Sequence, residues 1–161
     1  MGRLPKIQQE DLAYIAGFLD GDGSIMMQVK NRRGTPRGWR VMATICLYQD
    51  TRHERPLFWM RNILKIGYIS RRKDGMSEYR INGYESVDRI LSYVQPYVRF
   101  KKRQVNIARK LLRLLMEKDF ALFTTRQKMH IADYICAIRK ENYTSGARKY
   151  TEDQIRTILL G

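Results

Sequence analysis

The segment from Leu12 to Ile25, LAYIAGFLDGDGSI, reads as a helix, an abrupt stop and a strand in quick succession. From Leu12 to Leu19 apolar and small residues run together, and Asp20-Gly21-Asp22-Gly23 then supplies turn-forming residues that end the helix. Ser24 to Lys30 alternates, with Ile25, Met27 and Val29 on one face and Met26, Gln28 and Lys30 on the other, as a strand with one buried side requires. Ala13, Ala16, Gly17 and Asp20 fall at i, i+3, i+4 and i+7, so one helical face stays small until it reaches a carboxylate. Such a face either admits a close partner helix or packs beneath the chain's own sheet. Asp20 and Asp22 crowd the end of the helix where its dipole is negative, which suggests a bound cation unless DGDG is simply a solvated turn.

Downstream, the polar loop Asn31 to Gly38 separates the first strand from a second, Arg40 to Tyr48. Here Val41, Ala43, Ile45 and Leu47 face the core, while Arg40, Met42, Thr44, Cys46 and Tyr48 face away. Pro56 opens a helix running to about Lys65 with Leu57, Met60 and Leu64 on its buried face. A second hairpin pairs Tyr68 to Arg72 with Ser77 to Ile81 around Asp74-Gly75, which puts Ser70, Arg72, Glu78 and Arg80 on the outward face of the first. Helices follow over Ser86 to Gln95, Lys101 to about Lys118 and Thr124 to Arg139, with a short one after Thr151; Thr124/Gln127 and Thr151/Gln154 each match a capping box. The expectation is one α+β domain over residues 1–161, with a four-stranded antiparallel sheet.

Charge narrows the partners. With 31 Lys plus Arg against 16 Asp plus Glu, the net charge is +15, a surface that attracts polyanions by releasing their counterions. Nucleic acid is the first partner to consider. No apolar run approaches the roughly 18 residues that a membrane span needs. The N-terminus carries no apolar targeting segment, which predicts synthesis where the protein acts, in an organelle or in an archaeal or bacterial cytoplasm. Cys46 and Cys136, far apart and without a Cys/His cluster, predict two partly buried thiols rather than a zinc site or disulfide.

The string LAYIAGFLDGDGSI, followed by its strand, resembles the signature of the LAGLIDADG homing endonucleases. One copy is present, and in that family a single-motif chain of this length forms a homodimer with an αββαββα fold, here with additional C-terminal helices. The resemblance implies a metal-dependent double-strand endonuclease that recognises a long, nearly palindromic site. It cuts across the central minor groove to leave short 3′ overhangs, and so promotes intron or intein mobility. The implied cofactor is Mg²⁺, with Mn²⁺ as a substitute, and the partners are double-stranded DNA and a second copy, with neither a membrane nor a small-molecule cofactor. Asp22 corresponds to the metal-binding carboxylate and Gly21 offers its carbonyl. Gln49, after the second strand, matches a water-orienting residue, and Lys101 a residue that stabilises phosphate charge or tunes the nucleophile. Four positions beyond Gln49, where close relatives carry a basic residue, stands His53, so Arg52 and Arg55 are the alternatives for that catalytic role. Ala13, Ala16, Gly17 and Asp20 would form the dimer interface.

On the exposed sheet face, Gln28, Lys30, Arg32, Arg33, Arg37, Arg40, Thr44, Ser70, Arg72, Glu78 and Arg80 match the donors and acceptors of base edges in the major groove. Arg71, Lys73, Lys102, Arg103, Lys110 and Arg148 would touch phosphates at most. Two rival functions remain, an RNA-binding intron maturase and a non-catalytic DNA-binding regulator on the same fold. The retention of Asp22, Gln49 and Lys101 argues against loss of cutting.

Overall fold

Ten principal elements are arranged in a computed structural model that describes residues 6–142 and 148–161. They are α1 (Gln9–Asp22), β1 (Gly23–Asn31), β2 (Trp39–Asp50), α2 (Arg55–Leu64), β3 (Tyr68–Arg71), β4 (Met76–Asn82), α3 (Tyr84–Val94), α4 (Lys102–Glu117), α5 (Thr125–Glu141) and α6 (Glu152–Leu160). The first seven realise the expected αββαββα order, and three helices complete the α+β fold. The four strands form one antiparallel sheet in the order β1-β2-β4-β3. Both expected capping boxes are present, at Thr124/Gln127 and Thr151/Gln154. Among the described residues no helix is long and apolar enough to cross a membrane.

One sheet face carries the core. Ile25, Met27 and Val29 of β1, Val41, Ala43, Ile45 and Leu47 of β2, and Tyr79 and Ile81 of β4 are all buried beneath the helices, together with Ile15, Ala16 and Leu19 of α1. Cys46 and Cys136 are both buried and free. The outer edge of β1 does not face water along its length. The Asn142 side-chain amide donates to the Ile25 carbonyl at 2.9 Å, and the Tyr150 hydroxyl donates to Asn31 Oδ1 at 2.8 Å. Such cover keeps an edge strand from pairing with another chain.

Two expectations need correction. Asp20-Gly21-Asp22 does not break the helix: α1 runs through Asp22, and β1 starts at the very next residue. Gly23 alone makes the joint, because a Cβ there would lie 2.8 Å from Leu19 Cα and from Leu47 Cδ2. The outward sheet face is also less open than alternation implies, since Thr44, Cys46 and Glu78 are buried. The Thr44 hydroxyl donates to Asn82 Oδ1 at 2.7 Å, while Arg72 and Arg80 both lie across Glu78, at 3.2 and 2.7 Å.

Candidate active site

At the C-terminal end of α1 the chain gathers its acids, a lysine and the start of the sheet. Asp20 is buried and points inward, where its two carboxylate oxygens accept the backbone N–H groups of Arg99 at 2.6 Å and Lys101 at 3.0 Å. The segment joining α3 to α4 is thereby latched onto the motif helix. The Lys101 ammonium returns the contact, donating to the Asp20 carbonyl at 2.8 Å. A helix end leaves its last carbonyls unpaired and negatively polarised, and a lysine suits both needs. The cation suggested by two acids at this pole is therefore supplied in part by the chain itself. Burial pushes the Lys101 ammonium below its usual range, against the pull of Asp20 and Asp22.

Asp22 and Gly21 differ from Asp20 in being exposed. Among the described residues no hydrogen bond or ion pair occupies the Asp22 carboxylate. Nor do they hold a cluster of three His, Cys, Asp or Glu that would make a closed metal site. What one copy offers is an unengaged carboxylate beside a backbone carbonyl, an all-oxygen donor set fit for a hard divalent ion that draws its other ligands from elsewhere.

Gln49 sits at the same end of the sheet. Leu47 pairs with Gly23, so Gln49 lies two residues beyond that register on the same face of β2, and its side-chain oxygen accepts the Asp50 N–H at 2.8 Å. The following turn, residues 51–53, is a short 3₁₀ segment capped by Asp50, whose carboxylate takes Arg52 Nε at 3.0 Å and Nη2 at 2.8 Å. That guanidinium holds the Asp50 carboxyl down at about 2. Arg52 is otherwise 80% exposed, and His53 is exposed beside it. Arg55 opens α2 and shares a small surface hollow with Glu10, Asp11 and Tyr14 of the N-terminal half of α1. Of the two arginines it is Arg52 that the turn after Gln49 fixes.

Glu54 was not marked by sequence. Arg71 approaches its carboxylate at 2.5 Å, the buried Ser77 hydroxyl donates to it at 2.6 Å, and Ser77 and Thr51 share a further hydroxyl contact at 2.9 Å. Together they fix the turn that follows Gln49 onto β4, and the paired Arg71 holds the Glu54 carboxyl below its usual range. Ser24 and Tyr48 were missed as well. Their hydroxyls meet at 3.1 Å on the outer sheet face, two residues from Asp22. Only their cross-strand positions could have signalled the pair.

A groove of about 810 Å³ runs from this point along β1, past Ser24, Gln28, Lys30 and Arg72 on the sheet and Lys101 and Arg139 on the helical side. Of the outward-facing candidates, Gln28, Lys30 and Ser70 are half-buried and Arg32, Arg33 and Arg40 exposed, whereas Thr44 and Glu78 are engaged within the sheet. Glu78 fixes Arg72 and Arg80 rather than presenting itself. The dimer-face candidates divide too: Ala16 and Asp20 are buried in this chain, while Ala13 and Gly17 are exposed.

The family model for LAGLIDADG endonucleases matches residues 15–111, which contain Asp22, Gln49 and Lys101. The chain belongs to that family. One relative matches it almost end to end: DNA endonuclease I-CreI of Chlamydomonas reinhardtii is 27% identical over 154 residues, covering 96% of this chain and 91% of the relative. DNA endonuclease I-CvuI of Chlorella vulgaris is 30% identical over 107 residues, 66% of each chain. A crystal structure of I-CvuI with its target in the presence of calcium superposes with a TM-score of 0.82 at 24% identity, over 94% of this chain and 93% of that one. The LAGLIDADG fold and endonuclease function are therefore those of this chain.

Proposed function

We propose that two copies of this chain form a site-specific endonuclease that cuts both strands of a long, nearly palindromic DNA duplex with Mg²⁺. The observation that carries this is the joint at Gly23: exposed Asp22 stands on one side of it and the outer face of β1, with Ser24, Gln28 and Lys30, begins on the other. One chain brings one unengaged carboxylate to that point, and two scissile phosphates need one each. A two-fold axis beside α1 supplies both. The exposed residues Ala13, Gly17 and Gly21, spaced at i, i+4 and i+8, leave room for a partner helix, since a Cβ at Gly17 or Gly21 would meet nothing within 4 Å. Ala16 and Asp20, already buried, take no part in that contact.

The Asp22 carboxylate and Gly21 carbonyl would hold the divalent ion. Mg²⁺ fits their oxygen donors, Mn²⁺ is a workable substitute, and I-CvuI was crystallised with calcium. When bound, such an ion lowers the pKa of an attacking water and stabilises the leaving oxygen. The chain's own groups do the rest. Lys101, kept close to the motif carbonyls by Asp20, places a cation against the phosphate. Gln49 orients solvent at the sheet end, and Arg52 exchanges its Asp50 partner for phosphate. Gln28, Lys30, Ser70, Arg72 and Arg80 read base edges across the major groove, with Arg40 at the rim. Cleavage of an insertion site in this way mobilises the intron or intein that encodes the enzyme.

Incubation with the intronless insertion-site duplex and Mg²⁺ tests the proposal. The wild type is expected to cut both strands, and Asp22→Asn to lose about three orders of magnitude in rate while binding the duplex normally. Absence of cleavage, with Asp22→Asn indistinguishable from wild type in every assay, would overturn it.

A further inference from the structure

We propose that Arg37 is a positioning residue that pins the β1–β2 hairpin tip to the connection between α4 and α5, so that the tip addresses the outer base pairs of each half-site. The DNA side of this inference rests on the endonuclease function proposed above; the pinning itself does not.

Locally the tip is a closed turn. Arg32 N–H donates to the Gly38 carbonyl at 2.9 Å, Gly38 N–H to the Thr35 carbonyl at 3.0 Å, and the Thr35 hydroxyl to the Arg32 carbonyl at 3.0 Å. Arg37 ties that turn to the body of the protein. Its guanidinium carbon lies 4.9 Å from the Phe120 ring centre and 5.3 Å from that of Trp39, and the two rings meet edge to face at 5.0 Å. Its Nη1 is 3.6 Å from Asp119 Oδ1, an oxygen that also caps the 120–122 turn through the Ala121 N–H at 2.9 Å. Phe120 is itself held edge to face by Phe123, at 5.8 Å. Arg37 is exposed, as Arg32 and Arg33 are, but its guanidinium is engaged by two rings and a carboxylate of the protein.

Distance gives the anchor its purpose. At roughly 3.4 Å per residue, β1 carries the chain roughly 27 Å from the Asp22 end to the tip. At about 3.4 Å per base step, that is about eight base pairs out from the cut. A tip free to swing at that radius would spread its arginines over several positions, and a pinned tip assigns them to defined ones.

The experiment profiles base preference, position by position, in a randomised duplex library for the wild type, Arg37→Ala, Phe120→Leu and the double variant. Phe120→Leu removes a ring but no charge and keeps apolar bulk, and thermal melts verify that every variant folds. Each single change is expected to lower discrimination at the outermost positions about ten-fold, leave the central positions unchanged, and add nothing in combination. A second readout needs no DNA: in a Trp59→Phe background Trp39 is the sole tryptophan, and its quenching by acrylamide should rise in both variants. Failure of the wild type to select any sequence would count against the endonuclease proposal, while the Trp39 measurement would still decide the pinning. A wild-type profile in Phe120→Leu beside an altered one in Arg37→Ala would mean that Arg37 touches DNA itself. Unchanged Trp39 quenching in both variants would likewise overturn the anchor.

Discussion

Asp20 and Asp22 are two residues apart and have opposite tasks. Asp20 faces inward and is spent on two backbone N–H groups some eighty positions away, whereas Asp22 faces out and is left unengaged. A similar division separates Asp50 from its neighbours, since its half-buried carboxylate belongs to Arg52. That pairing has a direct signature: a carbon-detected NMR titration should place the Asp50 midpoint at about 2, and Arg52→Ala should return it towards the ordinary 3.8. The sign follows from linkage. A carboxylate with a depressed native pKa contributes its contact fully above its unfolded value and loses it only as pH falls through the folded one, so the turn keeps this contact through the neutral range. The family resemblance marked Asp22, Gln49 and Lys101 directly. It could not separate Arg52 from Arg55, because an offset counted along the chain does not reveal that a 3₁₀ turn ends and a helix begins between them.

Among the elements, period-2 and period-3.6 patterning was enough to predict every strand and helix to within a few residues. Depth was harder. Alternation states which face of a strand a residue occupies, but not that Thr44, Cys46 and Glu78 are buried on that face, with Arg72 and Arg80 lying across Glu78 and Asn82 taking the Thr44 hydroxyl. The end of α1 was misplaced because Gly and Asp are weak helix formers in isolation, and tertiary contacts carry them through one more turn here. The latch between α1 and the residue 99–101 segment was invisible for a related reason: nothing local to Arg99 or Lys101 announces a carboxylate brought in from Asp20. Its loss should be costly. Asp20→Ala leaves two N–H groups without their carboxylate at a part-buried position, and chemical denaturation should find the protein less stable by about 1–3 kcal/mol. An unchanged midpoint would show that solvent replaces the carboxylate there.

For the molecule as a whole, a net charge of +15 and a basic groove along β1 suit a polyanion, but they leave the assembly undetermined. The exposed small residues of α1 carry that information. Gly17→Leu adds its Cβ where the folded chain has nothing within 4 Å, so the variant should keep the wild-type circular dichroism yet sediment as a monomer at micromolar concentration and lose double-strand cleavage. A variant that still sediments as a dimer would place the two-fold contact elsewhere.

The single-residue joint at Gly23 has a further consequence. With no linker between helix and strand, and with Leu19 and Leu47 closing the space around that residue, the cutting end and the reading strand behave as one rigid ruler. In the proposed dimer the interval between the two stretches of sequence being read is therefore a mechanical constant. A base substitution within the target weakens one contact, but inserting a single base pair at its centre turns one half out of phase with the other, so such an enzyme tolerates spelling errors in its site far better than errors of length.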